Sequence, residues 1–308
     1  GFDSVDLIGI PFKDENNPKC IQWRYPNFWP ENGAGMICID EYNTASDQSV
    51  INSLNSLLLS RRLNNYIVPN GVSVVATGNR PKDFVDQIPI PAPSRNRFVW
   101  CELTPPSAEY WIDNWAVKND VDYRIISFIQ ANPDMLYMGD NDWDWNSLQT
   151  HAFPTPRSWG EQASSLIRNV PETKEAVKYV AASVGEATAH QFQAFLELQH
   201  QIPFDEIMAD PTNDSLIPRP SDRRYALVTR MVSELKNSLN KTKGKKSFEM
   251  FKTELEVSTR LPVEFGILYL KSAHTLNSSW FRKHIVETSF FGRDDFKDFY
   301  KFMGISAK

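Results

Sequence analysis

Cysteine is scarce in this chain. Its three cysteines, Cys20, Cys38 and Cys101, stand far apart in sequence and leave one over under any pairing, which excludes a disulfide framework and points to a reducing, cytoplasmic setting. Long apolar runs are lacking too. None approaches the ~20 residues of a bilayer span, and the first residues lack the basic, then apolar, then small-residue order of a secretory signal, so no membrane association is expected. The five histidines (His151, His190, His200, His274, His284) form no HExxH pair and have no CxxC companion, which argues against a zinc site built from protein ligands alone. No internal repeat or low-complexity tract is visible. What is present is the composition of an ordinary folded chain, 41% hydrophobic and 23% charged over 308 residues, long enough for about two domains.

The charge is uneven. Residues 221–308 hold 17 Lys and Arg against 10 Asp and Glu, whereas residues 1–220 hold 16 against 28. A basic tail could meet nucleic acid or an acidic partner. Its lysines are scattered except for Lys241, Lys243, Lys245 and Lys246, and with no aromatic among these four the cluster reads as a solvated turn between helices.

Three short apolar segments, residues 36–39, 72–77 and 98–103, read as buried parallel strands. Between the first two, Val50, Leu54, Leu57 and Leu58 recur at i, i+4, i+7 and i+8 and predict a helix over residues 47–60. Strand, helix, strand in that order predicts a βαβ crossover and a doubly wound sheet. Beyond Thr104-Pro105-Pro106 the pattern turns helical, with helices expected over residues 107–117, 121–131, 158–169, 172–183 and 187–199. Residues 139–153 read as a loop and 203–220 as an irregular, proline-punctuated stretch. Further helices follow from Ser221, broken at Gly244 and near Pro262. Phe192, Phe195 and Leu196 have the spacing of one apolar helical face. The tryptophans, among them Trp23, Trp29, Trp111 and Trp115, read as packing residues rather than base-stacking platforms, and Arg61-Arg62 as a solvated helix C-terminus.

The chemistry-bearing residues come in a series. The strand ending Cys38-Ile39 empties into Asp40-Glu41, at the edge of an open α/β sheet where ligands sit. There Asp40 can hold Mg²⁺ through water, and Glu41 can accept a proton from an attacking water or orient it. Acidic residues also follow strands simply as capping or turn groups, so the pair alone leaves both readings open. The next strand ends in Thr77-Gly78-Asn79, placing a neutral amide that can orient a water or touch a γ-phosphate. Arg95 and Arg97 precede the third strand, and Arg157 stands at a helix start in Thr-Pro-Arg. An arginine fork matches phosphate oxygens, although any one of these arginines could equally serve a surface ion pair.

Taken as an ordered series along nearly the whole chain, these motifs resemble the AAA+ ATPases of the MoxR type. Asp6-Leu7-Ile8-Gly9 is similar to the loop after the family's second strand, and Met36 to Glu41 to its Walker B strand. Asn79 falls at sensor 1, Arg97 in Asn-Arg-Phe at the arginine that reaches a neighbouring subunit's site, with Arg95 as a possible substitute, and Arg157 at sensor 2. Val184-Gly185-Glu186-Ala187 through Phe192, Phe195, Leu196 and Pro203 is similar to the family's helical lid. The resemblance implies a P-loop NTPase-type α/β fold: an αβα core with a parallel sheet over residues 1–138, an all-helical lid over 139–220 carrying sensor 2, and a C-terminal helical extension over 221–308. It also implies ATP and Mg²⁺ as ligands, a hexameric ring with ATP between subunits, chaperone-like remodelling of a protein partner, and a partner protein with a von Willebrand A domain.

One family part is missing from the sequence. No GxxxxGK[ST] occurs: around Gly244-Lys245-Lys246, Leu239 stands at the first glycine position and Lys246 at the hydroxyl position. In the family the strand feeding that loop lies between those corresponding to residues 72–77 and 98–103. The expectation is therefore that the native protein has upstream residues supplying it. Two other readings stay open: a nucleotide-insensitive ring component or adaptor, and a nucleic-acid-remodelling ATPase that uses the basic tail.

Overall fold

A computed structural model describes residues 4–17, 19–44, 48–79, 95–96, 98–138, 152–170, 174–241 and 245–288, together with positions 290, 294, 297 and 300. The chain divides into two units, Gly1–Leu103 and Thr104–Lys308. It is α/β, with one small parallel strand pair in the first unit and a mainly helical second unit.

The first unit begins with α1 (Ser4–Ile8) and an antiparallel hairpin, β1 (Ile10–Lys13) with β2 (Ile21–Arg24). Strand β3 (Ala34–Ile39) follows, then α2 (Gln48–Ser60), a second hairpin of β4 (Arg62–Leu63) and β5 (Tyr66–Ile67), and β6 (Gly71–Ala76). β3 and β6 pair in parallel, from Ala34 opposite Gly71 to Ile39 opposite Ala76, and α2 is the crossover that the sequence predicts. Its Val50, Ile51, Leu54 and Leu57 are buried in a cluster to which Ile37, Ile39, Val72, Val74 and Ala76 contribute from the strands. Alternation sends Met36, Cys38, Ser73 and Val75 to the opposite face, where all four are exposed.

Aromatic residues brace this unit. Trp29 donates its indole N–H to the Leu7 carbonyl (2.9 Å) and stacks on Tyr66, whose hydroxyl reaches the Pro30 carbonyl (2.9 Å). Arg61 is not a solvated helix end. It takes φ +54° after α2 and donates to the carbonyls of Pro69 (2.8 Å) and Val72 (2.7 Å), tying the second hairpin to the start of β6.

The expected third strand does not form. Residues 98–103 have strand composition, yet Val99 and Leu103 are exposed, and no ladder pairs them among the described residues. A strand without a neighbour leaves its amides and carbonyls to water and gains nothing from being extended.

In the second unit, α3 (Ala108–Trp111) is capped by the Ser107 hydroxyl and runs into a π-helical turn, Ile112–Ala116. Helix α4 (Tyr123–Ala131) follows, then a second π-helical segment, Ser158–Ala163, continued by α5 (Ser164–Ile167). Helices α6 (Lys174–Val184) and α7 (Glu186–Leu198) are separated by Gly185 at φ +87°, where a β-carbon would sit 2.8 Å from the Ala152 carbonyl oxygen. The proline-rich stretch holds a short helix, α8 (Phe204–Ala209), that its composition hid. The chain closes with α9 (Ser221–Lys241), α10 (Lys245–Arg260), α11 (Val263–Leu276) and α12 (Ser278–Ile285), the last capped by Asn277. His190 lies on α7 and His200 in the turn after it.

One hydrophobic core joins Trp111, Phe128, Trp159, Phe192, Leu227, Phe251 and Phe281, running through the positions where the sequence reading separates core, lid and extension. At its N-terminal end lies a buried ion pair. Asp122 caps α4, and Arg124 grips both its carboxylate oxygens (2.8 and 2.9 Å) while donating to the carbonyls of Ile167 (2.6 Å) and Val170 (3.1 Å). No helix among the described residues is long and apolar enough to cross a membrane.

Candidate functional site

The parallel register decides what meets at the carboxyl end of the sheet. Beyond the last pair, Ile39 with Ala76, the next residues on the two strands are Asp40 and Thr77. The Thr77 hydroxyl donates to the Asp40 carboxylate and also accepts the Glu41 amide (3.2 Å). Backbone bonds from Thr77 N to the Ile39 carbonyl (2.8 Å) and from Tyr42 N to the Thr77 carbonyl (2.9 Å) carry the pairing past the strands. Glu41 sits at φ +52°, a conformation that costs a non-glycine residue energy and reverses the chain between β3 and the turn Tyr42–Thr44.

A second device holds Asn79. The buried side chain of Asn43 donates to the Asn79 carbonyl (2.8 Å) and accepts the Asn79 amide (3.0 Å). A β-carbon at Gly78 would lie 2.6 Å from the Asn43 oxygen, so this two-way clamp needs glycine between Thr77 and Asn79. The clamp fixes the Asn79 backbone and leaves its carboxamide in the exposed part of the edge. Asp40 and Glu41 are exposed beside it.

The turn is braced from behind by Tyr42. Its hydroxyl donates to Asn55 on α2 (2.6 Å), and burial raises its pKa above the usual phenol value, with the Asn55 bond opposing. The ring of Phe98 packs edge-on against Tyr42 at 6.2 Å, and Trp100 packs edge-on against Phe98 while donating to the Arg95 carbonyl (2.8 Å). Thus the segment carrying Arg95 is tied to the same turn, with the Arg95 side chain exposed.

Of the residues singled out in the sequence, the structure brings Asp40, Glu41 and Asn79 to one edge. Arg97 lies outside the described residues. Arg157 belongs to the second unit, where it is exposed immediately before the π-helical segment Ser158–Ala163. Sequence reasoning missed Thr77 and Asn43. Thr77 was legible as the residue one step past Ala76, just as Asp40 is one step past Ile39. Asn43 carried no signal, because its role depends on the turn at Glu41.

Among the described residues, no group of three or more His, Cys, Asp or Glu side chains is arranged to hold a metal. One carboxylate with a hydroxyl and a second carboxylate beside it nevertheless fits Mg²⁺, which keeps several waters and is commonly shared with substrate phosphates. The edge is an open surface. Cavities are found in the second unit, one of about 740 Å³ with Arg168 and Lys236 in its wall. Those two cations are engaged there, Arg168 on the Asp120 carbonyl (2.7 Å) and Lys236 on the Arg168 carbonyl (2.6 Å). Comparison of the chain with known protein families, with curated proteins and with solved structures finds no match.

Proposed function

We propose that this chain is a nucleoside-triphosphatase of the AAA+ type, hydrolysing ATP at the carboxyl end of the β3–β6 pair. The observation that carries the reading is the convergence of Asp40, Glu41 and Asn79 on that edge, through a parallel register, with Thr77 and Asn43 holding them. Asp40 would hold Mg²⁺, which on binding would neutralise charge on the phosphates. Glu41 accepts the proton of the attacking water, and the neutral Asn79 amide orients that water without adding charge. Arg97, or Arg95 in its place, and Arg157 are the cations assigned to the phosphates. The reading extends to a homo-oligomeric ring, to remodelling of a protein partner, and to a von Willebrand A domain protein as companion.

The sequence has no GxxxxGK[ST] pattern, so the phosphates need a cradle from other residues. That same observation favours a second reading, a nucleotide-insensitive ring component or adaptor that keeps the fold. ATP binding and turnover by the 308-residue chain, with light scattering on the same sample, separates the two. On the leading reading Glu41→Gln keeps nucleotide binding and lowers turnover by about 10²–10⁴-fold, the range for loss of a general base. Undiminished turnover in that variant refutes the assignment of Glu41. A monomer that binds no nucleotide overturns hydrolysis by these 308 residues alone and leaves two readings, the adaptor or a phosphate cradle on upstream residues.

A further inference from the structure

We propose that Asn32 is a site of spontaneous deamidation, where the Gly33 amide nitrogen displaces the side-chain nitrogen and leaves aspartate or isoaspartate at the entrance to β3. The inference is independent of the ATPase reading. The sequence has two Asn-Gly dipeptides, Asn32-Gly33 and Asn70-Gly71. They stand at the same end of the parallel pair, whose first rung sets Ala34 opposite Gly71. Asn-Gly is the dipeptide most open to this reaction, because a glycine has no side chain to keep its nitrogen from the carboxamide carbon. Both asparagines are exposed, so sequence and exposure alone predict equal behaviour at the two.

Local geometry separates them. The chain around Asn32 is anchored at Pro30, whose carbonyl accepts the Tyr66 hydroxyl (2.9 Å), and again where β3 begins at Ala34. Between those anchors, neither the Asn32 carboxamide nor the Gly33 amide is hydrogen-bonded among the described residues. Gly33 takes φ +92°, and a β-carbon there would meet nothing within 4 Å, so solvent and base reach its amide. Gly71 is the first residue of β6, where a β-carbon would lie 2.5 Å from the Gly33 carbonyl oxygen. The turn that carries Asn70 is closed by Val72 N donating to the Pro69 carbonyl (2.9 Å), and Arg61 holds the carbonyls of Pro69 and Val72 (2.8 and 2.7 Å). Moving the Gly71 nitrogen onto the Asn70 side chain needs that turn to open first, which slows the reaction there.

The step balances with water as the co-reactant. The Gly33 nitrogen gives up its proton to solvent base and bonds to Asn32 Cγ, the Cγ–Nδ2 bond breaks, and ammonia leaves with a proton from solvent. Water then opens the resulting succinimide, and the glycine nitrogen regains its proton. Attack at Cγ gives aspartate. Attack at the main-chain carbonyl carbon gives isoaspartate, which routes the backbone through the side chain and lengthens it by one methylene ahead of β3. Either product adds a negative charge at the end of β3 opposite Asp40.

The test is incubation of the folded 308-residue chain in mildly alkaline buffer, read by peptide mapping with mass spectrometry and by methyl transfer from S-adenosylmethionine, with an isoaspartyl methyltransferase as probe. Asn32 is expected to convert about tenfold faster than Asn70 or more, the factor that roughly one net hydrogen bond of opening cost makes. In urea the two should convert at comparable rates. Arg61→Ala should raise the Asn70 rate towards that of Asn32, and Asn32→Gln should remove most of the methyl acceptance of the folded chain. Equal rates in the folded chain, or conversion at Asn32 in urea only, overturns the proposal. Methyl acceptance undiminished in Asn32→Gln overturns it as well. Should Arg61→Ala fail to fold, the wild type with and without urea still decides.

Discussion

The two units solve the problem of burying apolar surface very differently. The second unit wraps its helices around a continuous core in which Trp159, Phe192, Phe251, Phe281 and Tyr269 are completely buried. The first unit, about a third of the chain, holds eleven of the sixteen exposed large hydrophobic residues among those described, including Met36 at 66% and Val99 at 94%. Among the described residues its parallel sheet is a single strand pair, packed against α2 on one face and exposed on the other at Met36, Cys38, Ser73 and Val75. The difference teaches that the larger buried core and the candidate catalytic edge belong to different units. The helical unit has the interior that resists unfolding, and the strand unit has the open edge where Asp40, Glu41 and Asn79 gather. Exposed apolar strand surface rimmed by polar groups is also what interaction sites are made of.

The largest effect should come from breaking the buried pair in the second unit. Asp122→Ala removes the helix cap and the carboxylate that Arg124 grips through two nitrogens, breaking a buried pair at a loss of about 3–5 kcal/mol. In the first unit the comparable lesion is Leu57→Ala, a fully buried side chain whose truncation costs about 2–5 kcal/mol. Differential scanning calorimetry of the two variants tests the division directly. If each unit unfolds cooperatively by itself, Asp122→Ala lowers one transition and Leu57→Ala the other. A single transition moved equally by both would show that the units share one cooperative fold.

Acid sharpens the contrast, because a strongly displaced histidine lies in the helical unit. His274 is buried against Phe281, and desolvation, with Arg282 adding like charge, lowers its pKa to about 4. The unfolded chain takes up that proton near pH 6.5 while the fold refuses it, so the contribution is present above pH 6.5 and is lost as pH falls towards 4. The loss amounts to about 2–3 kcal/mol. Glu254 works in the opposite sense. Burial raises its pKa well above the usual carboxyl value, Glu234 adds to that rise, and the Tyr269 hydroxyl bonded to it at 2.7 Å partly opposes it. Its contribution is present below about pH 4.5 and is lost as pH rises towards the raised value. Because the two oppose each other between pH 4 and 7, the difference in urea midpoint between wild type and His274→Leu isolates the histidine, and it should move in the variant's favour as pH falls from 7 to 4. A difference that does not change with pH would assign the effect to other groups.

Local pattern made some of this legible and left the rest hidden. Strands β3 and β6 and helix α2 stand out because unbroken apolar runs and an i, i+4, i+7, i+8 stripe leave few alternatives for short segments. The βαβ order then places Asp40 and Asn79 at one edge. The hairpin β1–β2 was hidden because its strands are four residues long and largely exposed, so no burial pattern marks them. Residues 98–103 misled for the converse reason: strand composition is local, but a strand needs a neighbour. The Asp122–Arg124 pair was invisible because an aspartate and an arginine two apart look like surface charge until the carbonyls of Ile167 and Val170 arrive from 43 and 46 residues away.

The smallest expected change in stability bears most directly on the edge. Asn43→Ala removes two hydrogen bonds to the Asn79 backbone, at about 0.5–1.5 kcal/mol each, partly recovered by water at an exposed strand end. The first unit's transition should therefore move less than in Leu57→Ala. Hydrogen exchange should nevertheless show the Asn79 amide losing protection, since Asn43 is the acceptor it bonds to. Gly78→Ala should reproduce that local loss by a different route, pushing a β-carbon against the Asn43 oxygen while every hydrogen-bonding group remains. If the Asn79 amide stays protected in both variants, the bonds from Asn43 do not hold the edge. If protection falls in both while the global transition barely moves, the edge is positioned by a device separate from the core that keeps the unit folded. Its geometry could then be altered without unfolding the strands that carry it.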